Sequence, residues 1–133
     1  MHHVVDDSLL VATTAARVAD AQKATDVLVL AVGEVIQVAE YFVVAGASNR
    51  RLVDAVVEEV ELKVRESTGR SPMRVEGVRE QQWVLIDYGD VVVHVFLDEV
   101  REFYEIERLY RDVPRIDWTE GESDGPSAAE RAG

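Results

Sequence analysis

The 133-residue sequence contains no cysteine, which removes disulfide frameworks, thiolate metal sites and thiol nucleophiles at once. Any metal site would have to be built from carboxylates or histidine. Positive charge is also scarce, with 14 Lys and Arg against 26 Asp and Glu and a formal net charge of -12. Phosphate backbones are bound by clustered Lys and Arg that release counterions, so no direct nucleic-acid partner is expected. A basic protein surface is the more natural target. No apolar run approaches the roughly 20 residues of a membrane span, and the N-terminus lacks a basic region followed by an apolar stretch and a cleavage site. A cytoplasmic protein without a membrane partner is the expectation. No internal repeat appears, and a chain of this length buries one core rather than two.

What is present centres on the stretch from Trp83 to Phe96, where β-branched and aromatic residues flank Tyr88-Gly89-Asp90. That pattern predicts two strands joined by a tight turn, with Gly89 supplying the backbone freedom. Upstream, Asp6, Asp7 and Ser8 are N-cap candidates for an Ala-rich helix of about four turns, over about 6–23. The continuous apolar run Asp26 to Val32 suits a central strand covered on both faces. Gly33-Glu34 reads as a turn, and Glu40 to Ala45 as a second strand. From Ser48 or Asn49 as N-cap, Val53, Val56, Val57, Val60 and Val64 predict a long amphipathic helix that stops at Gly69. Met73 to Gly77 reads as a short edge strand. Asp98 is expected to cap a last helix carrying an apolar stripe of Val100, Phe103, Ile106 and Tyr110, ended by Pro114. Beyond Trp118 the chain is Gly, Ser, Glu, Ala and Pro without periodicity, which reads as disorder.

Candidate chemistry gathers at the hairpin. Asp87 and Asp90 could offer a carboxylate pair to Mg²⁺, but they straddle a turn, and Asp90 suits bonding the amides of its own turn. His94 shares a strand face with Val92 and Phe96. With no Ser or Cys nucleophile beside it in sequence, it reads as a packed, hydrogen-bonded residue rather than a base. Trp83 shares a face with Leu85 and Asp87; Trp is equally at home in a core and at a binding hot spot, and the acidic surroundings favour an interface. Gly46-Ala47-Ser48, a glycine turn before a helix, could hold an anion, yet without a Gly-rich repeat or a following Lys-Ser/Thr it reads as an ordinary β-to-α turn.

The residues Glu76-Gly77, Trp83, Leu85-Ile86-Asp87-Tyr88-Gly89-Asp90, Val93-His94-Val95-Phe96, Arg101, Tyr104, Glu107 and Leu109 resemble the ribosomal silencing factor family, also called iojap. Tyr41-Phe42-Val43-Val44, Gly46, Ser48, Asn49 and Arg50 fit its upstream signature, and the match runs in order and spacing from about Asp26 to Tyr110. Glu40, Ile106 and Tyr110 stand where the family usually has Asp, Leu and Trp. The resemblance implies a non-catalytic, often homodimeric factor that binds the large-subunit ribosomal protein L-fourteen and blocks joining of the small subunit. It also implies a fold similar to nucleotidyltransferases.

These readings converge on a single α/β domain over 1–112, a mixed β-sheet flanked by helices, with an acidic, disordered tail over 113–133. Trp83, Leu85, Asp87, Tyr88, Gly89 and Asp90 are the expected partner-binding residues, with no catalytic residue, metal or cofactor. Two other readings stay open. A metal-dependent nucleotidyltransferase would need converging acids after the Gly-Ser turn, where Glu59 and Glu61 are two apart on a helix and share no face. A generic dimeric adaptor would use the hairpin for self-association.

Overall fold

The fold is a five-stranded sheet with strand order β1-β2-β5-β4-β3, seen in a computed structural model that describes residues 3–119. The strands are β1 (Thr25–Ala31), β2 (Tyr41–Ala47), β3 (Arg74–Glu76), β4 (Trp83–Asp87) and β5 (Val91–Leu97). The helices are α1 (His3–Ala21), α2 (Gly33–Ile36), α3 (Arg50–Thr68), α4 (Asp98–Tyr104) and α5 (Ile106–Leu109). The central pair β2 and β5 is parallel, which requires the long crossover through α3, β3 and β4; the other pairs are antiparallel. The mixed α/β domain expected from the sequence is therefore the one formed.

One face of the sheet is closed by α1 and α3. Val53, Val56, Val57, Val60 and Val64 of α3 are all buried there, against Val43, Ala45, Val93, Val95, Val84 and Ile86. On α1 the contact is made by Val11 and by Ala12, Ala15, Ala16 and Ala19, all fully buried. Such small side chains let α1 approach both α3 and the sheet closely. Asn49 caps α3, its side chain accepting the Leu52 N–H at 2.8 Å, and Gly69 ends the helix in the left-handed region at φ 80°.

Several local expectations are corrected. The first strand is an edge strand, not a central one. Its outer side is covered instead by the C-terminal segment, where Ala31 N–H donates to Pro114 O and Ile116 N–H to Val29 O, both at 2.9 Å. Trp118 Nε1–H adds a bond to Val27 O at 3.1 Å. The chain thus stays packed on β1 past 112, where the domain was expected to end, and the remainder of the expected tail, 120–133, lies outside the described residues. The apolar run of β1 signals cover on both faces, with Val27 and Val29 in one core cluster and Leu30 in the other; an edge strand whose free backbone is met by a strap has that cover as fully as a central strand does.

Gly33-Glu34 opens a single helical turn, α2, which Gln37 ends at φ 73°. Helix α1 already runs from His3, so Asp7 and Ser8 lie inside it rather than at its cap. Asp98 does not cap the last helix: Leu97 holds the N-cap position without a side-chain bond, and Asp98 Oδ1 accepts from Thr25 Oγ1 at 2.7 Å. That helix is two, broken at Glu105 (φ 49°, ψ 51°). A periodicity counted across the break misplaces Phe103, which is 79% exposed.

Arg70, just past α3, ties three elements together. Its guanidinium donates to Asp90 Oδ1 at 2.6 Å, to Asp7 Oδ2 at 3.0 Å and to the Tyr88 carbonyl at 2.8 Å, and Ser8 Oγ also donates to Asp90. Burial alone would push the Asp90 carboxyl up; the hydrogen bonds from Arg70 and Ser8, with the charge of Arg70, outweigh it and hold the carboxyl below its ordinary range. Arg74, by contrast, reaches Asp87 at 3.2 Å with its own side chain 67% exposed. Replacing Arg70 by Met should cost about 1–3 kcal/mol in urea denaturation at neutral pH, because a partly buried carboxylate loses its charged donor. The matched Arg74→Met change should cost less than about 1 kcal/mol. Equal effects would mean that Arg70 does not anchor α1 to the hairpin.

Candidate functional site

The second face of the sheet is only half closed. Helices α4 and α5 and the chain after them cover one end, where Leu30, Val44, Phe96 and Ile106 are buried with partly buried Val100, Tyr110 and Val113. The other end stays open. The antiparallel register of β4 on β5 pairs Trp83 with Phe96, Leu85 with His94 and Asp87 with Val92. Since every second side chain shares a face, these six stand together, with Val44 and Phe42 beside His94 and Val92 across the β2 pairing. Val84 and Ile86 point the other way and are buried, while Trp83, Leu85 and Asp87 are partly exposed. Trp83, Leu85 and Asp87 thus lie in one row on this face, Leu85 and Asp87 at its open end and Trp83 partly buried against the cluster at its covered end.

A groove of about 460 Å³ runs over this face, floored by Phe42, Leu85, Val92 and His94. Its walls include Val38, 80% exposed, and Met73, 74% exposed. Neither was singled out in the sequence, because each belongs to a loop outside the hairpin and only tertiary folding brings it to the same groove. Phe42 and Val92 were visible to strand alternation, but their adjacency depends on the parallel β2–β5 pairing.

Trp83 occupies the end of the row. Its ring lies 4.7 Å from Phe96, at 29° between planes, and 5.0 Å from Tyr104. Its Nε1–H donates to His94 Nδ1 at 3.1 Å. His94 is 4% exposed and touches Phe42 edge-on at 4.6 Å. It is the packed, hydrogen-bonded residue expected, but it belongs to the same face as Trp83 and bonds to it directly.

The other candidates do not join them. Tyr88 is 2% exposed and lies in the core beneath α1 and α3, where burial and then the charge of Glu61 push its hydroxyl up to about 12. Asp90 turns to the same side, toward Arg70. Gly89 makes the turn at φ 93°, and its N–H donates to Asp87 Oδ1 at 2.8 Å. The carboxylates of Asp87 and Asp90 are thus bound by separate arginines and do not converge. Among the described residues no three His, Asp or Glu side chains gather in a way that could hold a metal ion. Gly46 serves packing: a Cβ there would fall 2.4 Å from both Asp98 Oδ1 and Thr25 Oγ1.

Arg101, part of the matched motif, is 6% exposed and structural. It donates to the Thr25 and Asp26 carbonyls at 3.0 and 2.7 Å and to Glu107 Oε2 at 3.0 Å, fastening the α4–α5 elbow to β1. No described helix is long and apolar enough to cross a membrane.

Known proteins resemble this chain in sequence and in fold. Residues 5–132 match the family described as "Ribosomal silencing factor during starvation". The chain is 37% identical over 103 residues to the ribosomal silencing factor RsfS of Bacillus subtilis, covering 77% of this chain and 86% of that one. It is also similar to the crystal structure of a Chromobacterium violaceum protein, with a TM-score of 0.71 and 33% identity over 75% of this chain and 82% of that one. A Bacillus halodurans crystal structure matches at a TM-score of 0.66 and 33% identity, covering 78% of this chain and 93% of that one. The chain belongs to the ribosomal silencing factor family.

Burial pushes the His94 pKa down from 6.5 to about 4. Between those pH values the unfolded chain takes up a proton that the folded one refuses, so this contribution is complete above pH 6.5 and is lost as the pH falls toward 4. Wild-type unfolding free energy should therefore fall more steeply than that of His94→Asn across this window, by about 1.4 kcal/mol per pH unit at most. Parallel pH profiles in chemical denaturation would show that His94 is not held neutral.

Proposed function

We propose that this protein acts in the cytoplasm as a translational repressor by binding rather than by catalysis: it docks on the large ribosomal subunit through ribosomal protein L-fourteen and sterically blocks joining of the small subunit. The observation that carries this reading is the partly exposed Trp83–Leu85–Asp87 row beside an apolar groove, in a chain of the ribosomal silencing factor family. Trp83 and Leu85 supply apolar anchor area that desolvates on contact, and Asp87 stands at the edge of the row to meet a cation. The net charge of -12 steers the domain toward a basic protein surface and raises the encounter rate. No bond needs to be made or broken for a bound domain of this size to obstruct a subunit interface.

Tyr88 and Asp90 contribute indirectly in this scheme. They hold the turn from behind, and Gly89 sets the bend that aims Asp87. A homodimer is part of the same reading, with Phe103 and Leu109, 79% and 75% exposed on α4 and α5, as apolar area away from the groove.

Truncating Trp83 to Ala should weaken binding to purified large subunits by at least about 2 kcal/mol, roughly 30-fold, while the domain stays folded. Co-sedimentation reads the affinity. In sucrose gradients the wild-type protein should keep small and large subunits apart, and Trp83→Ala should let them join. Joining that proceeds normally with wild-type protein would sink the proposed mechanism, and unchanged binding by folded Trp83→Ala would sink the interface. Sedimentation velocity with and without large subunits tells whether a second copy of the chain competes for the same face.

A further inference from the structure

His94 is not accounted for by packing. It fills a space between Phe42, Trp83 and Phe96 that an apolar side chain of similar volume could occupy. Because Nδ1 accepts the Trp83 Nε1–H, the neutral ring carries its own proton on Nε2, and Nε2 is buried without a hydrogen-bond partner among the described residues. An orphaned buried donor is a cost that a hydrocarbon would not incur. What histidine provides here, and a hydrocarbon cannot, is the Nδ1 lone pair. Its partner is the indole of Trp83.

That bond selects among orientations which stacking leaves open. The terminal torsion of a Trp side chain is broad and roughly two-fold, and the neighbouring rings, Phe96 at 29° and Tyr104 at 48°, tolerate an indole that slides or turns over between them. An N–H aimed at a fixed acceptor does not tolerate this. The bond at 3.1 Å therefore holds the pyrrole edge of the indole inward, toward β5, and determines which edge is presented outward.

We propose that His94 is a positioning residue, which holds the Trp83 indole in the orientation that the partner receives and so removes the cost of ordering it on binding. This rests on the reading that the Trp83 face meets the large ribosomal subunit. It assigns a role in recognition to a side chain that itself stays buried. Preorganising one rotamer-rich side chain corresponds to about a three- to tenfold change in affinity.

The test uses the full chain and purified large subunits, with three readouts. In the wild-type protein, NMR should show a scalar coupling across the hydrogen bond between Trp83 Nε1 and His94 Nδ1. His94→Leu should bind about three- to tenfold more weakly while its urea midpoint at neutral pH is held or raised, and the Trp83 indole proton should move upfield and exchange faster. His94→Asn, whose amide oxygen falls near the place of Nδ1, should recover affinity and restore the indole resonance. On a Trp83→Phe background, which lacks the donor, His94→Leu should change affinity no further. Absence of the coupling in the wild-type protein overturns the proposal whether or not His94→Leu folds. So does a folded His94→Leu that binds as wild type while Trp83→Ala is weak. If Trp83→Ala binds as wild type, the docking reading has failed, and the role assigned to His94 falls with it.

Discussion

The pairing of β4 with β5 in a single register is the constraint on which the rest of the molecule depends. Side chains alternate with a period of two, so a slip of one residue would send Trp83, Leu85 and Asp87 into the helix-covered core and bring Val84 and Ile86 out to solvent. Burial prevents this: Val84 and Ile86 are 1% and 0% exposed against α3. The turn enforces the same register, with Gly89 at φ 93° and the Asp87 carboxylate accepting its N–H. Hydrophobic burial on one face thus determines which groups are displayed on the other. Which side chains are displayed is a by-product of packing.

Charge follows the same division. On the closed side, Arg70 gathers Asp7, Asp90 and the Tyr88 carbonyl, neutralising carboxylates that would otherwise repel within an acidic domain. On the open side Asp87 is met by Arg74, whose side chain is 67% exposed and free to exchange water for a partner. The first set fastens α1 and the hairpin to the end of α3. The second leaves a carboxylate near the surface, where a cation from outside can replace the internal one at little cost. One acidic turn therefore carries a structural residue on one side and a displayed residue on the other.

The elements formed within one continuous stretch were legible in the sequence. The five valines of α3, its Asn49 cap and its Gly69 stop follow from helical spacing and capping chemistry, which need no knowledge of the remaining chain. The alternation in β4 separated Trp83, Leu85 and Asp87 from Val84 and Ile86 for the same reason. Errors came where distant chain intervened. The first strand looked central because it is covered, yet the cover at its edge is the strap from Pro114 to Trp118. The last helix looked continuous because Phe103 and Ile106 fit one periodicity, yet the left-handed Glu105 breaks it so that Arg101 can reach both Glu107 and β1.

The sequence by itself determined the class of the domain, the order of its five strands and two long helices, its acidic charge, and the motif that places it in its family. All of these are encoded locally, in periodicity, turn chemistry and residue type. Only the tertiary structure decided what the hairpin residues do together. It placed Tyr88 in the core and bound Asp90 to Arg70, since a turn exposes one side and buries the other according to what packs behind it. It brought Phe42, Val38 and Met73 to the groove, and it joined His94 to Trp83 by a hydrogen bond across eleven residues of chain. Such contacts depend on pairing between strands, which no single stretch of sequence contains.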